Sequence, residues 1–149
     1  METENTHKFF SVYCFNTAWE LMEKKDRSAE EDEEMVLLSH ASIWHWTRRD
    51  DCEDANRSIG CWQASRIHAM LGRAEGAKHY ARLALRYSSE QTPFLLAYAN
   101  EAMARAEKVA GNRNEMAKYH AEAVRLAQDI EDANDRKLLL DDLSTLTPH

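Results

Sequence analysis

Residues 71–85, LGRAEGAKHYARLAL, and residues 110–124, AGNRNEMAKYHAEAV, are two copies of one pattern. Each copy has a glycine near its start, and these glycines, Gly72 and Gly111, are 39 residues apart. Alanines follow each glycine at recurring positions. Because small residues at recurring positions let two helices approach closely, the pattern predicts a repeat whose unit is a pair of helices.

The correspondence extends to both sides of the glycines. On the N-terminal side Arg66 corresponds to Arg105, again at a spacing of 39 residues. On the C-terminal side Ala81 corresponds to Ala121 at a spacing of 40, because the second turn holds one more residue. We therefore expect the two arginines to occupy equivalent positions on the first helices of successive pairs.

Four glycines and two prolines among 149 residues favour helix nearly throughout the chain. Ser28 is a plausible N-cap before the acidic run of residues 30–34, and Thr92 with Pro93 marks a helix start. Placed between such signals, the predicted helices cover about 6–25, 29–49, 55–71, 74–88, 93–110, 113–133 and 135–144.

Short connections between long helices predict antiparallel neighbours. We expect one domain over residues 1–149, with helical hairpins at about 6–49, 55–88 and 93–133. The last helix, at about 135–144, carries four leucines and is predicted to cap the end of the stack.

Gly72, Ala77 and Ala84 have the spacing of the turn glycine and the two small residues in the second helix of a tetratricopeptide repeat. Roughly residues 55–125 resemble that family. Residues 71–85 and 94–111 also look like segments of uncharacterised bacterial proteins of this type. The resemblance implies an all-α fold in which antiparallel helical hairpins stack as a short right-handed superhelix with a C-terminal capping helix.

Composition argues against several classes of protein. The formal net charge of −7 disfavours a general nucleic-acid binder, which needs clustered lysine and arginine. No apolar run approaches the ~20 residues that cross a bilayer, and the N-terminus lacks the pattern of a secretory signal. Three cysteines without a CxxC motif read as reduced thiols. We expect a cytoplasmic protein that contacts neither membrane nor nucleic acid.

Histidines are the first candidates for chemistry, and seven are present. His40 and His45, beside and within the stretch SIWHW (residues 42–46), are five residues apart and do not share one helix face as chelating pairs do. We interpret SIWHW as helix packing and predict no metal, no cofactor and no catalytic residue. The alternative is a small helical enzyme or metal-binding protein with a pocket between hairpins that uses His45, His68 or His79.

The tetratricopeptide resemblance implies a concave face lined by the first helix of each pair. Counting back from each turn glycine, with Asp26 taken as the first turn, places a candidate groove at Tyr13, Asn16, Glu20, Trp62, Arg66, Tyr98, Glu101 and Arg105. Arginines beside flat aromatic side chains suit a carboxylate or an extended peptide. An internal ion pair between Arg66 and Glu101 remains open as the alternative.

We therefore expect a non-enzymatic interaction or scaffold module that binds a peptide segment or a small anionic ligand on its concave face. A protein or peptide partner fits this expectation best. Aromatic residues are crowded on several sides of the first helix, which favours burial or an interface. A homodimer contact through that helix is the alternative to burial.

Overall fold

The structure is a computed structural model that describes residues 2–146 of the chain. These residues form seven α-helices and no strand. The helices are α1 (Glu2–Glu23), α2 (Ala29–Thr47), α3 (Asp54–Met70), α4 (Ala74–Ser88), α5 (Pro93–Ala110), α6 (Arg113–Ala127) and α7 (Ala133–Ser144). The prediction of an all-α fold is confirmed. The ends of the predicted domain, residue 1 and residues 147–149, lie outside the described part.

Consecutive helices pack in pairs, α1 with α2, α3 with α4 and α5 with α6. The pairs are joined where α2 contacts α3, α4 contacts α5 and α3 contacts α5. The last helix, α7, packs against α5 and α6. No helix formed by residues 2–146 is long and apolar enough to span a membrane.

The recurring glycines lie at the turns where the pattern predicts them. Gly72 has φ of 72° and Gly111 has φ of 82°, a left-handed conformation that residues with a Cβ rarely adopt. The two equivalent positions therefore require glycine for the same reason, which is the termination of a first helix. The helix starts also follow the sequence, since Ser28 and Glu31 form a capping box at α2 and Thr92 caps α5.

The small residues of α4 allow close contact with α3. Ala77, Ala81 and Ala84 are completely buried. Across the same interface the Ser65 hydroxyl donates to the Ala77 carbonyl at 2.9 Å, and the Ser58 hydroxyl donates to the Ala84 carbonyl at 3.3 Å. Hydroxyls of α3 thus reach the backbone of α4 because the alanines leave room for them.

One helix differs clearly from its predicted length. The sequence predicts α6 up to about residue 133, but it ends at Ala127. The following residues leave the helix because Ile130 buries its side chain in the core beneath α7. Asp132 then caps the next helix by accepting a hydrogen bond from the Asp135 amide at 2.9 Å. Residues 128–132 therefore form the connection that turns α7 back onto α5 and α6.

The last helix covers the end of the core. Leu139 and Leu143 are buried in one cluster with Tyr98 of α5 and Leu126 of α6. Without α7 this apolar surface of the third hairpin would face water, so α7 acts as the predicted cap.

Replacing Leu139 with alanine should lower the free energy of unfolding by about 2–5 kcal/mol, because the fully buried side chain would leave a cavity. Urea unfolding of the purified variant measures this change. Leu140→Ala is the matched control, since Leu140 lies on the same helix and is 41% exposed. Equal destabilisation by the two variants would contradict the assignment of α7 as a cap held through Leu139.

Candidate functional site

A groove with a volume of about 580 Å³ runs across the odd-numbered helices. Its lining side chains come from α1, α3, α5 and α7, and no described residue of α2, α4 or α6 lines it. The groove is lined by Phe15, Asn16, Trp19, Met22, Ser58, Ile59, Trp62, Arg66, Phe94, Leu95, Tyr98, Leu138 and Asp142. Its size is that of a typical ligand site.

The walls of the groove are largely apolar and aromatic. The ring of Trp62 lies 5.8 Å from the ring of Trp19 and 5.7 Å, edge to face, from the ring of Tyr98. At the rim, Ile59 and Leu138 are 39% and 53% exposed. Contiguous apolar side chains that remain in contact with water favour a binding surface over simple core packing.

Arg66 is the cation of the groove. Its Nη2 atom lies 3.6 Å from Oε2 of Glu101 and 3.5 Å from Oδ1 of Asp142, and its guanidinium carbon is 5.6 Å from the ring centre of Trp62. Nε of Arg66 and Nε1 of Trp62 are buried and have no hydrogen-bond acceptor among the described residues. Two donors beside the groove are therefore unpartnered.

Glu101 lies beneath the groove and is completely buried. Nε of Arg105 donates to Oε1 of Glu101 at 2.7 Å, and Nη2 of Arg105 donates to Oγ1 of Thr145 at 2.8 Å and to the Asp142 carbonyl at 3.3 Å. Arg105 thus joins α5 to the end of α7. We call Arg66, Glu101, Arg105 and Asp142 the carboxylate–arginine cluster. Its two positive and two negative charges cancel.

Tyr98 connects this cluster to the groove wall. Its hydroxyl donates to Oδ2 of Asp142 at 2.6 Å. Burial, together with this hydrogen bond, raises the pKa of Tyr98 above its ordinary value, so the phenol stays protonated as a donor. Asp142 of α7 therefore accepts from α5 while it faces Arg66 of α3.

The eight residues predicted for the groove fall into three groups. Those that line it are Asn16, Trp62, Arg66 and Tyr98. Glu101 and Arg105 belong to the cluster beneath it, and the internal pair between Arg66 and Glu101, left open by the sequence, is present. Tyr13 and Glu20 are exposed on α1 and do not line the groove. Whether any of them contacts a ligand stays a prediction.

Sequence reasoning missed much of the α1 wall and all of the α7 wall. On α1 the residues Phe15, Trp19 and Met22 follow one another at intervals of four and three, which is a helical stripe. That stripe was the available signal, and the choice of Asp26 as the reference turn selected a neighbouring face. Leu138 and Asp142 of α7 are also four residues apart, but no repeat equivalent identified them.

Histidines do not line the groove in the part of the chain that the structure describes. Four of them form two pairs, with Nδ1 of His7 2.8 Å from Nδ1 of His45 and Nε2 of His40 3.2 Å from Nε2 of His68. Among residues 2–146 no three histidine, cysteine, aspartate or glutamate side chains are placed to hold a metal ion. The ring of His79 lies edge to face against that of its neighbour Tyr80, with 4.8 Å between ring centres.

The cysteines are free thiols, and two of them, Cys14 and Cys61, are buried. Burial raises the pKa of Cys61 to about 11, so this thiol is protonated at neutral pH. Burial also raises the pKa of Cys14 and of Cys52. A nucleophilic role needs a thiolate, so the surroundings of these cysteines disfavour that role.

Comparison with known proteins finds no matching family model, no similar curated protein and no similar solved structure. The tetratricopeptide resemblance therefore depends on the residues and spacings of this chain alone.

Replacing Arg105 with alanine should lower the free energy of unfolding by about 3–5 kcal/mol, because it removes the closest partner of a fully buried carboxylate. It also removes the hydrogen bonds to the end of α7. Urea unfolding measures the loss. Arg125→Ala is the control, since Arg125 pairs with Glu122 on the exposed face of α6 and should leave stability unchanged. A similar loss in both variants would show that Arg105 acts only as a surface charge.

Proposed function

We propose that the protein is a non-enzymatic interaction module that binds a peptide segment in the groove between α1, α3, α5 and α7. The observation that carries the proposal is the set of apolar and aromatic side chains that line this open groove while remaining in contact with water. An apolar side chain of a partner would gain about 25 cal/mol for each Å² that it buries there. Flat rings such as Trp19 and Trp62 provide contact area at low entropic cost.

The charges favour an uncharged group in the groove over a small anion. Arg66 faces Glu101 and Asp142, and Arg105 faces Glu101, so the carboxylate–arginine cluster already has no net charge. An anionic ligand would have to displace Asp142 from Arg66 to obtain a full ion pair. The protein as a whole is also negative. A neutral segment with bulky apolar side chains avoids both costs.

The unpartnered donors support a peptide in particular. Nε1 of Trp62 and Nε of Arg66 lack acceptors within the described structure, and both side chains line the groove. A backbone carbonyl is a neutral acceptor that every peptide presents next to its side chains. A small side-chain movement on binding would bring these donors to such carbonyls and remove the cost of leaving them unsatisfied.

Helix order supports a tetratricopeptide-like arrangement for this module. The first helices of all three pairs line the groove, and the second helices lie behind them, as a superhelix of helical pairs requires. A right-handed stack, with the groove as its concave face, is part of the proposal. The proposal also includes a location in the cytoplasm, where the free thiols would stay reduced, and the absence of catalysis.

The test is a selection from a random peptide library, followed by measurement of the dissociation constants of the enriched peptides. We expect peptides with a bulky apolar residue. Ile59→Gln and Leu138→Gln should weaken their binding about tenfold or more by removing apolar contact at the rim. Leu140→Gln is the matched control, because Leu140 lies on the same helix as Leu138 and is also exposed, but does not line the groove.

Two results would contradict the proposal. One is that no peptide is enriched over an unrelated helical protein of similar charge. The other is that the enriched peptides bind the wild type, the two rim variants and the Leu140 control equally well, which would place the binding surface elsewhere. The exposure of all three mutated side chains keeps the variants close to wild type in stability, and thermal unfolding verifies this.

A further inference from the structure

Two histidine pairs join consecutive helices at the N-terminal end of the molecule. His7 of α1 meets His45 of α2, and His40 of α2 meets His68 of α3. In the second pair the two Nε2 atoms are 3.2 Å apart and the ring centres are 5.4 Å apart. The ring centres are thus almost as far from each other as this contact between Nε2 atoms allows. The rings therefore point at each other head-on. That geometry is typical of an N–H···N hydrogen bond, whereas two ligands of one metal ion would converge at an angle.

The surroundings of His68 decide which ring is the donor. Nδ1 of His68 is buried without a partner in the described structure, and a Cβ on Gly76 would lie 2.5 Å from it. No acceptor fits in that space, so a proton on Nδ1 would be an unsatisfied buried donor. The neutral form with its proton on Nε2 leaves a lone pair and no N–H at Nδ1, where the Gly76 backbone lies, and lets Nε2 donate to His40. His68 therefore donates, and Nε2 of His40 accepts.

A proton added to either ring disrupts this arrangement. A protonated His40 has no lone pair at Nε2, so His68 could no longer donate to it. A protonated His68 must carry a proton on Nδ1 against Gly76. The charged groups nearby are Arg73 and His79, which disfavour an added positive charge, and Glu33, which favours one.

The pKa directions agree with this geometry. Burial lowers the pKa of His68, which is only 8% exposed, and His40, Arg73 and His79 lower it further. Burial also lowers the pKa of His40, followed by the influence of His79. Tyr80, stacked on His68 at 5.6 Å between ring centres, shields the pair from water on the side of α4.

The pair connects the first hairpin to α3. Within that hairpin, α1 and α2 are joined by their own hydrogen bond, from the Ser42 hydroxyl to the Ser11 carbonyl at 2.7 Å. Only two other polar contacts between the described residues of this hairpin and the α3–α4 pair are found: Gln63 to the Phe15 carbonyl at 3.0 Å, and an ion pair between Arg73 and Glu33. Apolar packing holds the same interface, since Ile67 of α3 is buried in one cluster with residues of α1 and α2. The polar contacts therefore add to this packing, and the hairpin, joined internally, can move as a unit when they weaken.

We propose that the His40–His68 pair makes the attachment of the first hairpin to α3 sensitive to pH, so that mild acid releases the α1 wall of the groove. The α1 wall consists of Phe15, Asn16, Trp19 and Met22. The consequence for binding rests on the proposed function of the groove. The change in the hairpin itself does not.

The direction of the pH effect follows from the pKa values. Both histidines bind a proton less readily in the folded chain than in the unfolded chain, where the ordinary value is 6.5. Their contribution to stability is complete above pH 6.5 and is lost as pH falls below it through the lowered pKa values. Each histidine that takes its proton only on unfolding lowers the equilibrium constant for folding about tenfold per pH unit in that range.

Hydrogen–deuterium exchange between about pH 7.5 and about pH 5.5, corrected for intrinsic exchange rates, tests the local change. In the wild type, amides of α1 and α2 should lose protection on acidification, while those of α5 and α6 keep it. His40→Gln should reduce this difference, because a glutamine oxygen accepts from His68 at every pH in the range and only protonation of His68 still disturbs the interface. His120→Gln, which changes a histidine of α6 outside the pair, should leave the difference intact.

Simultaneous loss of protection in all helices, or an equal response of wild type and His40→Gln, would overturn the proposal. If His40→Gln fails to fold, NMR titration of the imidazoles in the wild type decides instead. Midpoints of His40 and His68 below 6.5 support the proposal, and midpoints at or above 6.5 overturn it. A hairpin that responds to pH in a protein that binds no library peptide would refute the proposed function and leave this inference standing.

Discussion

The buried carboxylate of Glu101 is the constraint on which the C-terminal part of the structure depends. A charge without access to water must have close partners, and here they are Arg105 on the same helix and Arg66 on α3. Each arginine also reaches α7, at Asp142 or Thr145. Helices α3, α5 and α7, which are distant in sequence, are therefore held in fixed positions around the Glu101 carboxylate. The groove lies above this point.

That arrangement also explains why the groove is apolar although it contains an arginine. The charge of Arg66 is neutralised within the protein, so the surface of the groove consists of rings and aliphatic side chains around a neutral cluster. An arginine in a cleft is commonly interpreted as an anion site. Here its partners Glu101 and Asp142 change that interpretation, and Asp142 is the partner that a ligand would meet first, since Glu101 is completely buried.

Much of the fold could be predicted because its signals are local. Gly72 and Gly111 mark turns through backbone conformation, and that requirement is visible in a single residue. The groove was predicted best where those glycines set the register, on α3 and α5, whereas on α1 only Asn16 was placed in it correctly. Before α2 no glycine ends the helix, so α1 had no such reference. The role of Asp142 depends on where α7 packs, which follows from tertiary contacts that no spacing in the sequence reveals.

The histidine pairs could not be predicted from the sequence for the same reason. Their chemistry also differs from that of the carboxylate–arginine cluster. Their members are 38 and 28 residues apart, so the five-residue spacing within α2 excluded a chelating pair but could not reveal a partner on another helix. The carboxylate–arginine cluster joins α3, α5 and α7, while the histidine pairs join α1, α2 and α3. Imidazole is the side chain whose unperturbed pKa lies within the mildly acidic range. The two ends of the groove are thus held by different chemistry, with ion pairs at the end built by α7 and imidazole pairs at the end built by α1.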